Sequence, residues 1–341
     1  SADNSNVTVI QEGFDVGVVD GITNTSTVTQ AGDTQDAQIT QIGDDQISSV
    51  VQGGVDMEVL LTQGGVGNSS SIIQSDTDNF ADVFQDGDDN ISNINQSDED
   101  GTIDVDQLGE RLTSTISQQD DDNQNAVVSQ SSTDNTSTIT QRASNSDAFV
   151  TQSGADNSSI ILQGNISDNQ EATIIQTGDG NSSDVQQGFD ASGPLDDDNE
   201  TFVTQSGDDN TAVVRQINER NLADILQDGD RNEARVESQG TGVSGGGNED
   251  NTADIDQFGD DNTASVNQPG EDGIFTVVQN GFNSSSTGLQ SGSGDTATVT
   301  QNGEFDSSNV EQSGSGNLAT VTQEGFDLDF STAANSSTVL Q

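Results

Sequence analysis

Cysteine, histidine, lysine, tryptophan and tyrosine are all missing from the 341 residues, and six arginines supply every positive side chain. Without cysteine there is no disulfide, zinc–thiolate or redox chemistry to consider. Without His, Cys or Lys most of the usual general bases and nucleophiles are gone, so the chain does not read as an enzyme, and no catalytic, cofactor or metal site is expected. A net charge of −54 sets it against nucleic-acid phosphates and anionic membrane faces. No stretch of 18 apolar residues exists, so no membrane insertion is expected. The opening SADNSNVTVI has neither a basic nor an apolar leader region; an export signal, for a secreted protein, has already been removed from this sequence.

Large apolar side chains are scarce as well. Hydrophobic residues make up 28% and aromatics 4%, too little for a conventional core. Low hydrophobicity with high net charge is the composition of a disordered acidic polyelectrolyte. Only the order of the residues can overturn that reading.

That order is strict. A seven-residue frame recurs: Asn, any, Ala or Ser, any, Val or Ile, any, Gln. Clear copies are Asn24–Gln30 (NTSTVTQ), Asn210–Gln216 (NTAVVRQ), Asn262–Gln268 (NTASVNQ) and Asn317–Gln323 (NLATVTQ). The frame occurs 28 times, and 21 of the 27 intervals are eleven residues, a regularity that disorder has no reason to keep. Its last position is Gln in every copy but Ser238, and Val or Ile stands two residues earlier except at Leu61 and Gly288. Positions at period two share one face of a strand, whereas a helix scatters them. Between copies lie Gly- and Asp/Asn-rich segments such as Asp86–Asn90 (DGDDN), which read as turns.

The third position alternates. Ser26, Ser48, Ser70, Ser92 and Ser114 fall on even copies, and Ala37, Val59, Ala81 and Ile103 on odd ones. The true period is therefore 22, with two unlike strands per turn. The predicted fold is all-β: a single β-solenoid over 1–341 built of stacked strand–arc–strand coils, with two parallel cross-β sheets face to face, the architecture of a functional amyloid. A Gln ladder is expected at Gln30, Gln41, Gln52, Gln63, Gln74, Gln85, Gln96, Gln107, Gln205, Gln216, Gln227, Gln257, Gln268, Gln279, Gln301, Gln312 and Gln323. An Asn ladder is expected at Asn24, Asn68, Asn79, Asn90, Asn135, Asn157, Asn210, Asn221, Asn251, Asn262 and Asn317, each amide bonding its counterpart above and below. Val28, Ile39, Val50, Ile72, Val83, Ile94, Val214, Ile225, Val266, Val299 and Val321 would line the seam.

The segments Ser70–Gln85 (SSIIQSDTDNFADVFQ) and Ser308–Gln323 (SNVEQSGSGNLATVTQ) resemble the repeat of curlin, the major subunit of bacterial curli. The resemblance covers nearly the whole chain, as a long variant of about fourteen coils without the family's tyrosine and histidine. It implies a secreted, cell-surface fibre subunit of a bacterium, polymerising into biofilm matrix with the help of a secretion pore and a nucleator subunit.

The frame runs close to both termini, so Val7, Val9 and Gln11 at one end and Asn335, Val339 and Gln341 at the other are expected to make head-to-tail contacts. Longer intervals enlarge arcs at about 12–23, 188–198, 239–250 and 324–334; these read as surface loops, with their phenylalanines a candidate for lateral contact. Scattered carboxylates read as solvating, with diffuse divalent-cation binding and no dedicated site. The rival reading is a monomeric ice-binding or adhesive solenoid, suggested by outward Thr27/Thr29, Thr138/Thr140, Thr298/Thr300 and Thr320/Thr322.

Overall fold

The computed structural model describes residues 5–13, 24–119, 122–164, 168–188, 198–217, 220–238, 250–325 and 335–341. Among them the regular structure is all β-strand, one strand for each copy of the frame. The chain divides into two compact units, Ser1–Ile161 and Leu162–Gln341.

The first unit begins with β1 (Asn6–Glu12), β2 (Thr25–Gln30), β3 (Asp36–Asp44), β4 (Ile47–Val55), β5 (Glu58–Val66), β6 (Ser69–Thr77) and β7 (Phe80–Asp88). It continues through β8 (Ile91–Ser97), β9 (Thr102–Glu110), β10 (Thr113–Gln119), β11 (Asn125–Thr133), β12 (Thr136–Gln141) and β13 (Asp147–Ser153). The division falls within β14 (Ser158–Gln163). The second unit holds β15 (Glu171–Thr177), β16 (Ser182–Gln187), β17 (Glu200–Ser206), β18 (Thr211–Gln216), β19 (Leu222–Asp228), β20 (Glu233–Ser238) and β21 (Thr252–Phe258). After these come β22 (Thr263–Asn267), β23 (Ile274–Gln279), β24 (Ser285–Gln290), β25 (Thr296–Gln301), β26 (Ser307–Gln312), β27 (Leu318–Gln323) and β28 (Ser336–Leu340).

Odd-numbered strands pair with odd and even with even, giving each unit two sheets. Pairing is parallel and like meets like: Ala37 faces Val59, Ile39 faces Leu61, and Gln41 faces Gln63. Each unit is a β-solenoid. Period two does the sorting, since Ala37, Ile39 and Gln41 of β3 are buried while Gln38 and Thr40 point away. Burying each Val or Ile of the seam contributes roughly 1.5–3 kcal/mol.

Among the described residues, the arcs turn through positions in the left-handed conformation. Asp45, Asp56, Asp78, Asp89 and Asp134 adopt it with φ of 56–58°, a region that Asp and Asn tolerate better than most residues. Two residues earlier the arc passes close to its neighbour: Gly65 has φ 97°, and a Cβ there would overlap the carbonyl oxygen of Gly87. Two departures from the frame compensate each other. Phe275 fills an inward position usually held by Ala, and its ring occupies the space that a side chain at Gly288 would need.

Candidate assembly site

The glutamines form two amide columns within each unit, broken in the second unit at Ser238. Nε2 of each Gln donates to Oε1 of the Gln one coil on, as in Gln41 to Gln63 (2.8 Å), Gln63 to Gln85 (2.8 Å) and Gln85 to Gln107 (2.8 Å) in the odd sheet. In the even sheet Gln30, Gln52, Gln74 and Gln96 are linked in the same way at 2.9–3.0 Å. The second unit repeats this from Gln205 to Gln227 (2.8 Å) and from Gln279 to Gln301 (2.8 Å). The same amide also reaches across the coil to a main-chain carbonyl of the opposite strand, as from Gln52 Nε2 to Asp36 O (3.1 Å). One buried group thus joins coil to coil and sheet to sheet.

The asparagines work differently from a ladder of identical amides. Asn68 Nδ2 donates to Gly64 O (2.6 Å) and Gly87 O (2.8 Å), and its Oδ1 accepts the main-chain N–H of Asn90 (2.9 Å). Asn90 Oδ1 accepts from Leu112 N (2.9 Å) and Asn79 Oδ1 from Gly101 N (2.9 Å), so the acceptor needs no amide side chain in the next coil. The physical reason is reach: the shorter side chain at the strand's start meets arc backbone before it meets its counterpart. Direct Asn-to-Asn side-chain bonds do occur, as from Asn210 to Asn181 (3.1 Å).

The exceptions leave marks. Ser238 stands in the even glutamine column, and Oε1 of Gln268, its neighbour one coil on, is buried without a hydrogen-bond partner. Many of the inward serines are also unsatisfied: the hydroxyls of Ser48, Ser70, Ser92, Ser114 and Ser137 are buried with no partner, because stacked copies of one rotamer hold the hydroxyls a strand spacing apart, ~4.8 Å. Ser308 Oγ, by contrast, donates to Ser286 Oγ of the adjacent coil (3.0 Å). Asp98 lies where the frame usually has Gly, and Gly101 where it has Asn; the Asp98 carboxylate fills the space a Gly101 side chain would take. Asp98 is 3% exposed and both carboxylate oxygens lack partners. Burial first, and then Asp122, Asp76 and Asp100, push its carboxyl up to about 7.

Charge is arranged by face. On the outer face of the odd sheet Asp82 and Asp104 are register neighbours. Asp254 is raised to about 6 by burial and then by Asp256 and Asp224. At the arc tips Arg111, Arg220 and Arg231 take the left-handed position, and each pairs with an Asp one coil on: Asp134 (2.7 Å), Asp250 (2.8 Å) and Asp261 (2.7 Å). Bonding to Arg111 holds the Asp134 carboxyl below its ordinary range.

At the sheet edges the seam is open. Val7 and Val9 of β1 are 47% and 42% exposed, whereas Ile39, the register partner of Val9, is 1% exposed. Val28, Asn335 and Val339 are half-buried, and Gln341 is exposed. The other seam positions, Val50, Ile72, Val83, Ile94, Val214, Ile225, Val266, Val299 and Val321, are buried. Apart from their margins, the four enlarged arcs lie outside the described residues.

A model of the curlin-associated repeat matches residues 249–281 and 292–325. Those two segments of the second unit are similar to the curlin-associated repeat. No individual curated protein matches it significantly. The matched segments contain β21 to β23 and β25 to β27, and these strands share register and glutamine columns with their neighbours in the second unit. A curlin-like repeat on a β-solenoid supports a structural, curli-like subunit.

Proposed function

We propose that the chain is the building block of an extracellular, curli-like amyloid fibre that grows end to end and serves as biofilm matrix. The observation that carries this reading is the polarity of the glutamine columns. The bonds that link glutamine to glutamine run one way, from Nε2 to the Oε1 of the next coil, so Gln11 and Gln30 present Oε1 acceptors at one edge, while Gln323 and Gln341 present amide donors at the other. An acceptor edge and a donor edge with matching strand register are complementary between copies, and a contact that does not close yields a filament. Bacterial cell-surface location, a secretion pore and a nucleator belong to the same proposal and rest on the curlin-like repeat. Salt or divalent cations would hasten growth by screening the stacked carboxylates.

Placing a charge on the open seam tests it. Wild type should give unbranched filaments with a meridional reflection near ~4.8 Å. Val9→Asp or Val339→Asp should keep the strand signal in circular dichroism yet stop elongation seen by electron microscopy. Elongation at the wild-type rate in both variants overturns the reading.

A second reading, an ice-binding or adhesive monomer, draws on Thr298/Thr320 and Thr300/Thr322, which stand in register on β25 and β27 with Thr276 beside them on β23. The array ends at Val278 and at Asp254 and Asp256 of β21. Persistent monomers with thermal hysteresis would favour it.

A further inference from the structure

The outer faces of the second unit differ in charge. On the odd sheet Asp224 (β19) is the register neighbour of Asp254 (β21), and Asp256 lies two residues along β21 beside Leu226. On the even sheet Arg215 (β18) is the neighbour of Glu237 (β20), and Val213 the neighbour of Arg235, whose guanidinium also pairs with Glu237 along its own strand. These two arginines are the only ones of the six placed in strands; Arg111, Arg142, Arg220 and Arg231 sit in arcs. Arg215 Nε is shielded from solvent with no hydrogen-bond partner.

The two constellations match in shape. Asp224 to Asp256 and Arg215 to Arg235 are both diagonals, one strand over and two residues along. With strands ~4.8 Å apart and two residues spanning ~6.8 Å, each diagonal is about 8 Å. An outer even face laid on an outer odd face can satisfy both diagonals in two ways. With solenoid axes parallel, Arg215 falls on Asp224 and Arg235 on Asp256, but Glu237 then lies on Asp254, acid against acid. With axes antiparallel, Arg215 falls on Asp256 and Arg235 on Asp224, while Glu237 covers Leu226 and Val213 covers Asp254. The flanking strands oppose no like charges in that arrangement: Asp184 of β16 lies over Thr276, and Ser265 of β22 over Phe202.

We propose that the Arg215/Arg235 face docks on the acidic odd face of a second copy of this chain, side by side with axes antiparallel. The acidic half of the contact is built twice, since β7 and β9 of the first unit carry Asp82, Asp104 and Asp106 with Phe84 in the place of Leu226. Complementary charge fixes register and orientation more than it adds raw affinity. The contact is lateral and does not depend on end-to-end growth.

Charge exchange tests it, with width in electron microscopy reading lateral pairing and length reading elongation, so the two proposals fail separately. At low salt, wild-type particles should pair side by side, whether filaments or single solenoids. Arg215→Asp with Arg235→Asp should weaken pairing by about tenfold or more, and the milder Arg215→Gln with Arg235→Gln serves if the first fails to fold. A chain with Asp82→Arg, Asp106→Arg, Asp224→Arg and Asp256→Arg should likewise fail to pair with itself, and mixing it with the Arg215→Asp/Arg235→Asp chain should restore pairing. For orientation, Arg215→Asp alone should be rescued by Asp106→Arg with Asp256→Arg, and not by Asp82→Arg with Asp224→Arg. Single wild-type particles at low salt, undiminished pairing in the arginine variants, or no restoration on mixing overturns the proposal; rescue by the other aspartate pair overturns its orientation.

Discussion

The glutamine column at the strand's end and the asparagine column at its start both lie inside the coil, yet they impose different rules on the sequence. A glutamine bonds the glutamine of the next coil, so each copy constrains its neighbour's identity. An asparagine bonds backbone, which every residue provides, so Leu112 or Gly101 can follow an Asn without loss. Column invariance is therefore a measure of side-chain-to-side-chain dependence, not of burial alone.

The sharpest way to break the comparison is to delete an amide from each column. Gln107→Leu strands Gln130 Oε1 and Ile91 O, and takes from Gln85 Nε2 its Oε1 acceptor. We expect a loss on the order of 3 kcal/mol or more, concentrated in the coils around β9, as solenoids unfold locally. Asn90→Asp keeps an acceptor for Leu112 N and loses only the donation to Gly109 O. Aspartate already serves there at Asp295 and Asp306, so the cost should be clearly smaller. Hydrogen exchange of β7 to β11 measures both. Equal losses would erase the distinction between the columns.

The carboxylate at Asp98 sharpens it by pH. The folded state holds a proton up to about 7, whereas an unfolded aspartate releases its own near the ordinary value of 3.8. The folded form therefore binds more protons in that window, and stability is fullest below pH ~4 and falls as pH rises toward 7. Denaturant midpoints measured between these limits should drop with pH, and Asp98→Asn should flatten the dependence. An unchanged slope in that variant would move the origin elsewhere, to Asp254 and its neighbours.

These cases also show what a sequence can disclose. Strand positions, the 22-residue coil and the two sheets were legible because period two and fixed intervals are properties of one chain read in order. The glutamine column stood out because its partner is another glutamine. The asparagine pattern did not, since a bond to backbone leaves no trace in the partner's identity. Phe275 with Gly288, and Asp98 with Gly101, read as isolated lapses in the frame; only the coil's closure shows that the larger member fills the smaller one's space. Facing arginine and aspartate diagonals lie on opposite sheets and need the strand directions to be seen.

Ser238 allows a repair. Gln216 and Gln268 flank it in the column, and Gln268 Oε1 lacks a donor. Ser238→Gln should supply that donor and give Gln216 Nε2 a further acceptor, stabilising the second unit by about 1–2 kcal/mol in denaturant unfolding. No gain would mean that the column tolerates a gap more cheaply than its regularity implies.

The smallest effect concerns the inward serines. Ser92 is fully buried between Ser70 and Ser114 in register, and all three hydroxyls lack partners. The matching column of the opposite sheet places Ala81 and Ala126 without polar atoms at all. Ser92→Ala removes a desolvated hydroxyl and leaves the methylene-sized packing unchanged, so it should stabilise by about 1 kcal/mol. Destabilisation instead would show that the hydroxyl finds a partner in solution, and that the serine column, like the glutamine column, is held by its own side chains.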